Sequence, residues 1–193
     1  MTLIEAIATF FGLIAVWLVV KRHILCWPTG LVQVTLYVWI FYEAKLYSDM
    51  MLHVIYIFLQ LYGWWQWQYG GNNHESLPVT TLRRRSLPFW ISAVATGTFL
   101  WGFVMANYTD AAAPFPDAFI AVASLAAQWL TAKKKVESWI FWIFVNIVAI
   151  GVYAYKALWI TTGLYTVFLV MAFFGFRDWR KALSTPAFST SIK

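Results

Sequence analysis

Charged residues make up 11% of this 193-residue sequence and hydrophobic ones 62%, where soluble domains average about 25% and 45–50%. So little charge excludes a soluble globular fold, because that much apolar surface cannot be hidden from water. A single cysteine, Cys26, excludes an intrachain disulfide and a thiolate metal cluster. The eight carboxylates all sit between apolar runs or near their ends, so none is placed at mid-depth to carry a proton across a membrane. There is no glycine-rich phosphate loop, no paired Cys/His spacing and no serine or cysteine nucleophile motif. These absences argue against an enzyme, a bound metal or a cofactor, and against ATP-driven transport by this chain alone.

What is present is a series of apolar runs. A helix needs about 20 residues to cross a ~30 Å hydrocarbon layer. Seven stretches are read as spans, at roughly 2–20, 24–42, 48–69, 89–106, 117–132, 136–155 and 157–176. Their continuity favours helices over the alternating strands of a membrane barrel, and a helix satisfies its own backbone in lipid. The first run lacks a basic region ahead of its apolar core and is expected to be a retained helix, not a removable signal. With seven crossings, twelve of the 14 Lys and Arg residues fall on one side, among them Lys21, Arg22, Arg83, Arg84, Arg85, Lys133, Lys134 and Lys135. Only Lys45 and Lys156 fall on the other. That segregation predicts an external N-terminus and a cytoplasmic C-terminus. It assigns the net charge of +6 to orientation and lipid contact, not to nucleic acid.

The sequence also repeats itself. At a shift of 112 residues Trp17, Lys21, Arg22, Trp27, Gly63 and Trp67 fall on Trp129, Lys133, Lys134, Trp139, Gly175 and Trp179, and Glu5 falls on Asp117. The expected fold is therefore an all-α integral membrane protein of two parallel three-helix repeats, residues 1–70 and 117–183. Residues 71–116 supply a cytoplasmic connector and a linker helix that lets both repeats enter the membrane the same way round. Residues 184–193 read as a disordered cytoplasmic tail. Duplicated bundles of this kind are a plan for transporters whose substrate passes between the halves.

Polar and aromatic side chains in such helices are informative when they share a face. Trp139, Trp142 and Asn146 do so on the sixth helix, Asp49, His53, Tyr56, Gln60 and Trp67 on the third, Asp117, Ser124 and Gln128 on the fifth, and Gln33 and Tyr37 on the second. An unpaired amide in hydrocarbon costs free energy, so Gln60, Gln128 and Asn146 are expected to face the bundle interior, where they pair with each other or take a ligand. The candidate substrate-binding residues are Trp139, Trp142, Asn146, Gln60, Gln128, Tyr56, Gln33 and Tyr37. His53 is expected to be a satisfied internal histidine, and Trp17, Trp27, Trp67, Trp129 and Trp179 to anchor or pack helix ends. Pro28, Gly30, Gly63 and Gly151 are expected to be packing points.

The stretch Glu137-Ser-Trp139-Ile-Phe-Trp142-Ile-Phe-Val-Asn146 resembles the Glu-x-Trp-x-x-Trp-x-x-x-Asn signature of the PnuC family of bacterial vitamin transporters. Further matches are Trp27-Pro28-x-Gly30, Leu46-Tyr47-Ser-Asp49, Leu61-Tyr62-Gly63-Trp64-Trp65-x-Trp67, and the segment from Asp117 to Gln128 with Ser124 inside it. The resemblance implies a three-plus-one-plus-three arrangement similar to the SWEET sugar transporters, a homotrimer, and a place in the bacterial cytoplasmic membrane. It also implies facilitated uptake of nicotinamide riboside or thiamine, with riboflavin third, completed by a cytoplasmic vitamin kinase. Trp139, Trp142 and Asn146 would line the vitamin site with Gln60 as a partner. Nicotinamide riboside and thiamine each carry a cationic heteroaromatic ring, for which a tryptophan face offers about 0.5–2 kcal/mol. A SWEET-like sugar facilitator and the substrate-binding subunit of an ATP-driven importer stay open as alternatives.

Overall fold

All seven apolar runs are helical in the computed structural model, which describes residues 3–43, 47–71, 75–109 and 111–184. Lys45, Leu46, His74, Asp110 and the segment 185–193 lie outside the described residues, as do the side chains of Tyr47, Ser48 and Asp49. The helices are α1 (Leu3–Val20), α2 (Cys26–Glu43), α3 (Tyr47–Tyr69), α4 (Leu87–Tyr108), α5 (Pro114–Ala132), α6 (Ser138–Tyr155) and α7 (Trp159–Ser184). A one-turn 3-10 helix, Arg84–Ser86, leads into α4. The seventh helix continues past its expected end because its face keeps burying side chains: Trp179 is fully buried and donates its indole N–H to the Val19 carbonyl of α1 at 3.1 Å.

Among the described residues, five helices (α1, α4, α5, α6 and α7) are long and apolar enough to cross a membrane by length and composition. The other two, α2 and α3, have 18 and 23 residues but are diluted by Thr29, Gln33, Thr35, His53, Gln60, Gln66 and Gln68. Packing suits that composition, since α2 lies against both α1 and α3, and α3 against α2 and α5.

The contacts fall into a reciprocal pattern. Helices α1, α2 and α3 pack in sequence order, as do α5, α6 and α7; α3 then meets α5, and α1 meets α7. The first helix of each set thus touches the last helix of the other. Helix α4 packs against α5.

The 112-residue repeat reappears as geometry. Helices α1 and α5 end in the same 6→1 and 5→2 hydrogen-bonded cap: His23 N–H to Leu18 O at 2.9 Å with Arg22 N–H to Val19 O at 3.0 Å, and Lys135 N–H to Leu130 O at 2.9 Å with Lys134 N–H to Thr131 O at 2.9 Å. The left-handed residue of each cap is a cation, Arg22 at φ 57° and Lys134 at φ 49°. Lys21 stands 4.9 Å over the Trp17 ring and Lys133 stands 5.5 Å over Trp129.

Between these turns lies a core of four tryptophans. Trp27 meets Trp67 edge-on at 5.2 Å, Trp67 meets Trp179 at 5.9 Å, and Trp179 meets Trp139 edge-on at 5.5 Å. Each set of helices ties itself to the other here. Trp67 donates to the Thr131 carbonyl at 3.0 Å, and its repeat mate Trp179 donates to Val19, the repeat mate of Thr131. Gly63 and Gly175 supply the clearance: a Cβ on Gly63 would enter the Trp27 ring, and one on Gly175 the Trp139 ring. Gly30 is likewise a close-packing point, against Gln60, while Gly151 faces open space. At the opposite end of the bundle Lys156 pairs with both carboxylate oxygens of Asp117, at 2.8 and 3.0 Å.

Candidate substrate site between the two helical sets

The mid-depth band of α3 and α5 carries hydroxyl groups where apolar side chains would be cheaper to bury. They are partnered across the seam. The Tyr56 hydroxyl donates to Ser124 Oγ, and Ser124 in turn donates to the Ala121 carbonyl at 3.0 Å. This bond joins the two helix sets where α3 meets α5.

Each helix set holds an aromatic triad. In the first set His53 lies 4.9 Å from Phe41 and 5.7 Å from Tyr56, and Tyr37 adds a contact with His53 at 5.3 Å. In the second set Tyr165 lies 5.0 Å from Tyr153 and 6.0 Å from Phe168. The two triads are repeat mates: Phe41, His53 and Tyr56 fall on Tyr153, Tyr165 and Phe168 at the same shift of 112. The arrangement gathers aromatic faces and phenolic or imidazole polar atoms from α2 and α3 in the first set and from α6 and α7 in the second. Chemically it offers stacking, cation–π attraction and hydrogen bonds, which is equipment for holding a ring and not for breaking a bond.

The structure spreads the eight residues singled out in the sequence over five places. Tyr37 and Tyr56 belong to the aromatic seam. Gln33 and Gln60 lie within the first set, with their amides against Gly12 and Gly30. Trp142 and Asn146 are on α6: the Trp142 indole donates to Thr131 Oγ1 at 3.2 Å, and Asn146, 4% exposed, donates from Nδ2 to the Trp142 carbonyl at 2.8 Å. Gln128 is half-buried on α5. Trp139 is 2% exposed and packs in the tryptophan core at the basic end. Its indole N–H is buried without a hydrogen-bond partner, and so is that of its repeat mate Trp27. Cavities of about 270 and 290 Å³ lie elsewhere, the first between α4 and α5 and the second at the basic end.

Tyr165 and Phe168 were missed by face-by-face reading because α7 around them has no amide, imidazole or charge to mark a polar stripe, only the hydroxyls of Thr161, Thr162 and Thr166. The signal that finds them is the repeat itself, applied to His53 and Tyr56 and not only to tryptophans and glycines.

A family model described as "Nicotinamide mononucleotide transporter" matches residues 2–181. The chain is 26% identical over 201 residues to the nicotinamide riboside transporter PnuC of Escherichia coli (strain K12), covering 91% of this chain and 84% of that one. It is 28% identical to the protein of the same description from Neisseria mucosa, over 92% of this chain and 72% of that one. It is 25% identical to the riboflavin/roseoflavin transporter RibM of Streptomyces davaonensis, over 91% and 83%. The crystal structure of the vitamin B3 transporter PnuC superposes with a TM-score of 0.74 at 26% identity, covering 94% of this chain and 82% of that one.

Proposed function

The chain belongs to the nicotinamide mononucleotide transporter family, and from that premise we propose that it carries nicotinamide riboside across the bacterial cytoplasmic membrane by facilitated diffusion. The matched relatives are transporters and not enzymes, and its apolar helices make it a multi-pass membrane protein. The observation that carries the reading is the pair of repeat-related aromatic triads, one on α2 and α3 and one on α6 and α7, in a bundle whose two sets are joined by the Tyr56–Ser124 bond. A cationic pyridinium ring entering between them gains cation–π attraction of about 0.5–2 kcal/mol per well-placed face. Ribose hydroxyls then need hydrogen-bond partners, and Tyr37, Tyr56, Gln60, Gln33, Gln128 and Asn146 are the polar side chains proposed to supply them. Trp142 closes that region toward the basic end, and Trp139 supports it from the tryptophan core.

All seven helices cross the membrane on this reading, in a three-plus-one-plus-three plan similar to the SWEET transporters, with residues 1–70 and 117–183 as parallel repeats. The reciprocal α3–α5 and α1–α7 contacts support it. Rocking of one set against the other exposes the seam to each side in turn. The basic end faces the cytoplasm by the positive-inside rule, which sets the N-terminus outside. Assembly as a homotrimer, and trapping of the vitamin by a cytoplasmic kinase, complete the proposal.

Calorimetric titration of the purified protein tests the substrate. Nicotinamide riboside is expected to bind saturably with a Kd below about 1 mM, that is, with more than about 4 kcal/mol. Tighter binding of riboflavin, the substrate in RibM's name, or of thiamine would reassign the vitamin; binding of none of the three would end the vitamin reading. In liposomes, uptake is expected to run downhill without ATP and to ignore an imposed pH gradient. Accumulation driven by that gradient would instead assign a proton to His53.

A further inference from the structure

The basic end holds a second constellation, distant from the aromatic seam. A cavity of about 290 Å³ is lined by Arg22 and Ile24 from the turn after α1, Trp67 and Gln68 from the end of α3, Ser76, and Lys134 from the turn after α5. Ser76 belongs to a strap that crosses from the first helix set to the second. Along it Leu77 N–H donates to the Trp67 carbonyl at 3.1 Å, Thr80 N–H to the Lys134 carbonyl at 3.0 Å, and Leu82 N–H to Glu137 Oε2 at 2.8 Å.

Arg22 and Lys134 are repeat mates, each in the left-handed cap position where glycine or asparagine is the cheaper residue. The chain keeps a cation at both. Lys134 is 8% exposed; its ammonium donates to the Leu77 carbonyl at 2.8 Å and stands 4.3 Å over the Trp67 ring. Burial first, with Arg22 adding to it, holds Lys134 below the usual lysine range, at about 8. The Arg22 guanidinium donates to the Asp178 backbone carbonyl at 3.1 Å. No carboxylate lines the cavity, and among the described residues none forms an ion pair with either cation.

Two cations, a hydroxyl and a primary amide thus border one space without a counter-anion. We propose that this cavity binds the phosphate group of an anionic ligand, either a soluble phosphate monoester or a lipid headgroup, and so bridges the two helical sets through Arg22 and Lys134. A phosphate monoester dianion answers two cations where a carboxylate answers one, a phosphodiester headgroup brings a single charge with two free oxygens to share between them, and charge-assisted hydrogen bonds to phosphate are the strong class. The volume leaves room for an organic substituent against Trp67 and Ile24. Because Arg22 comes from the first set and Lys134 from the second, occupancy opposes any motion that parts them.

The test uses the full chain in phosphatidylcholine nanodiscs at constant ionic strength, titrated with glycerol 3-phosphate. Saturable binding is expected, weakened at least tenfold in Arg22→Gly and restored toward the original in Arg22→Lys. Glycine relaxes the left-handed backbone, which offsets the loss of the hydrogen bond to the Asp178 carbonyl; thermal unfolding of the variant checks that balance. If the soluble ester fails to bind, native mass spectrometry of protein extracted from phosphatidylglycerol-containing membranes decides for a lipid source, with retained phosphatidylglycerol expected in the original chain and lost in Arg22→Gly. Absence of both signals, or equal signals in the original and Arg22→Gly, overturns the proposal.

Discussion

Gly63→Ala and Gly175→Ala should each destabilise the protein by at least about 2 kcal/mol, within the range that overpacking a tight core costs. The added methyl group at either site falls inside a tryptophan ring. Neither ring has room to retreat. Trp27 is 1% exposed and Trp139 2%. Each is held edge-on by a second indole, at 5.2 and 5.5 Å, which is itself fixed by a hydrogen bond to the opposite helix set, at 3.0 and 3.1 Å. A shift of Trp27 or Trp139 therefore disturbs the contact between the two sets, so the damage spreads beyond one helix pair. Gly151→Ala is the matched control, because a Cβ there meets nothing within 4 Å and alanine favours a helix interior over glycine by about 0.8–1 kcal/mol. Thermal unfolding in detergent, read alongside the monodisperse yield on size exclusion, measures all three. Equal stability of the three variants would refute the tight fit of the tryptophan core.

Asn146→Ala should weaken nicotinamide riboside binding by about tenfold to a hundredfold while leaving the unfolding temperature nearly unchanged. The asymmetry follows from where its hydrogen bonds go. Its Nδ2 donates to the carbonyl of Trp142, one turn earlier on the same helix, and that carbonyl already serves the helix ladder. Little folding energy depends on the side chain. A polar ligand group left without a partner in a buried site costs about 1–3 kcal/mol, and each 1.4 kcal/mol is tenfold in affinity. Tyr56→Phe provides the contrast: it keeps the aromatic contact with His53 and removes the hydroxyl bonded to Ser124, so a smaller loss of binding is expected together with a loosened α3–α5 seam. Unchanged affinity in Asn146→Ala would move the site off α6.

The sequence exposed the scaffold well because the relevant signals are linear. Run length and continuity determined the seven helices, and the structure shifts their ends by only a few residues, except at α7, where Trp179 carries the helix onward. The shift of 112 residues located the paired caps, glycines and tryptophans because both sets need the same turn and the same clearance at one end. Polarity within α2 and α3 was equally visible, and it is the reason these two fall short of the composition of a simple membrane span.

Partnership across the seam was not visible. Facing inward is a property of a helix stripe, and it says nothing about depth or about which neighbour is met. Trp139 and Asn146 share a stripe on α6, yet Trp139 lies in the tryptophan core with Trp179 and Asn146 lies two turns deeper. Gln60 packs against Gly30, whose repeat mate is Trp142, while Gln60's own mate is Ala172. Large and small have exchanged places between the two sets, so the interior is asymmetric inside a symmetric frame. His53, Tyr56 and Tyr165 gain meaning in the same way, through the meeting of α3 with α5 and the return of α7.

An apolar, duplicated helical chain with one basic end follows from residue order, because helix formation in lipid depends on local composition and a repeat is written along the chain. Tertiary packing was needed to assemble each aromatic triad from two helices, to bring Tyr56 to Ser124, and to set Arg22 and Lys134 at the border of one cavity. Those juxtapositions arise from contacts between residues far apart in sequence, and packing alone selects among the many inward-facing side chains that composition permits.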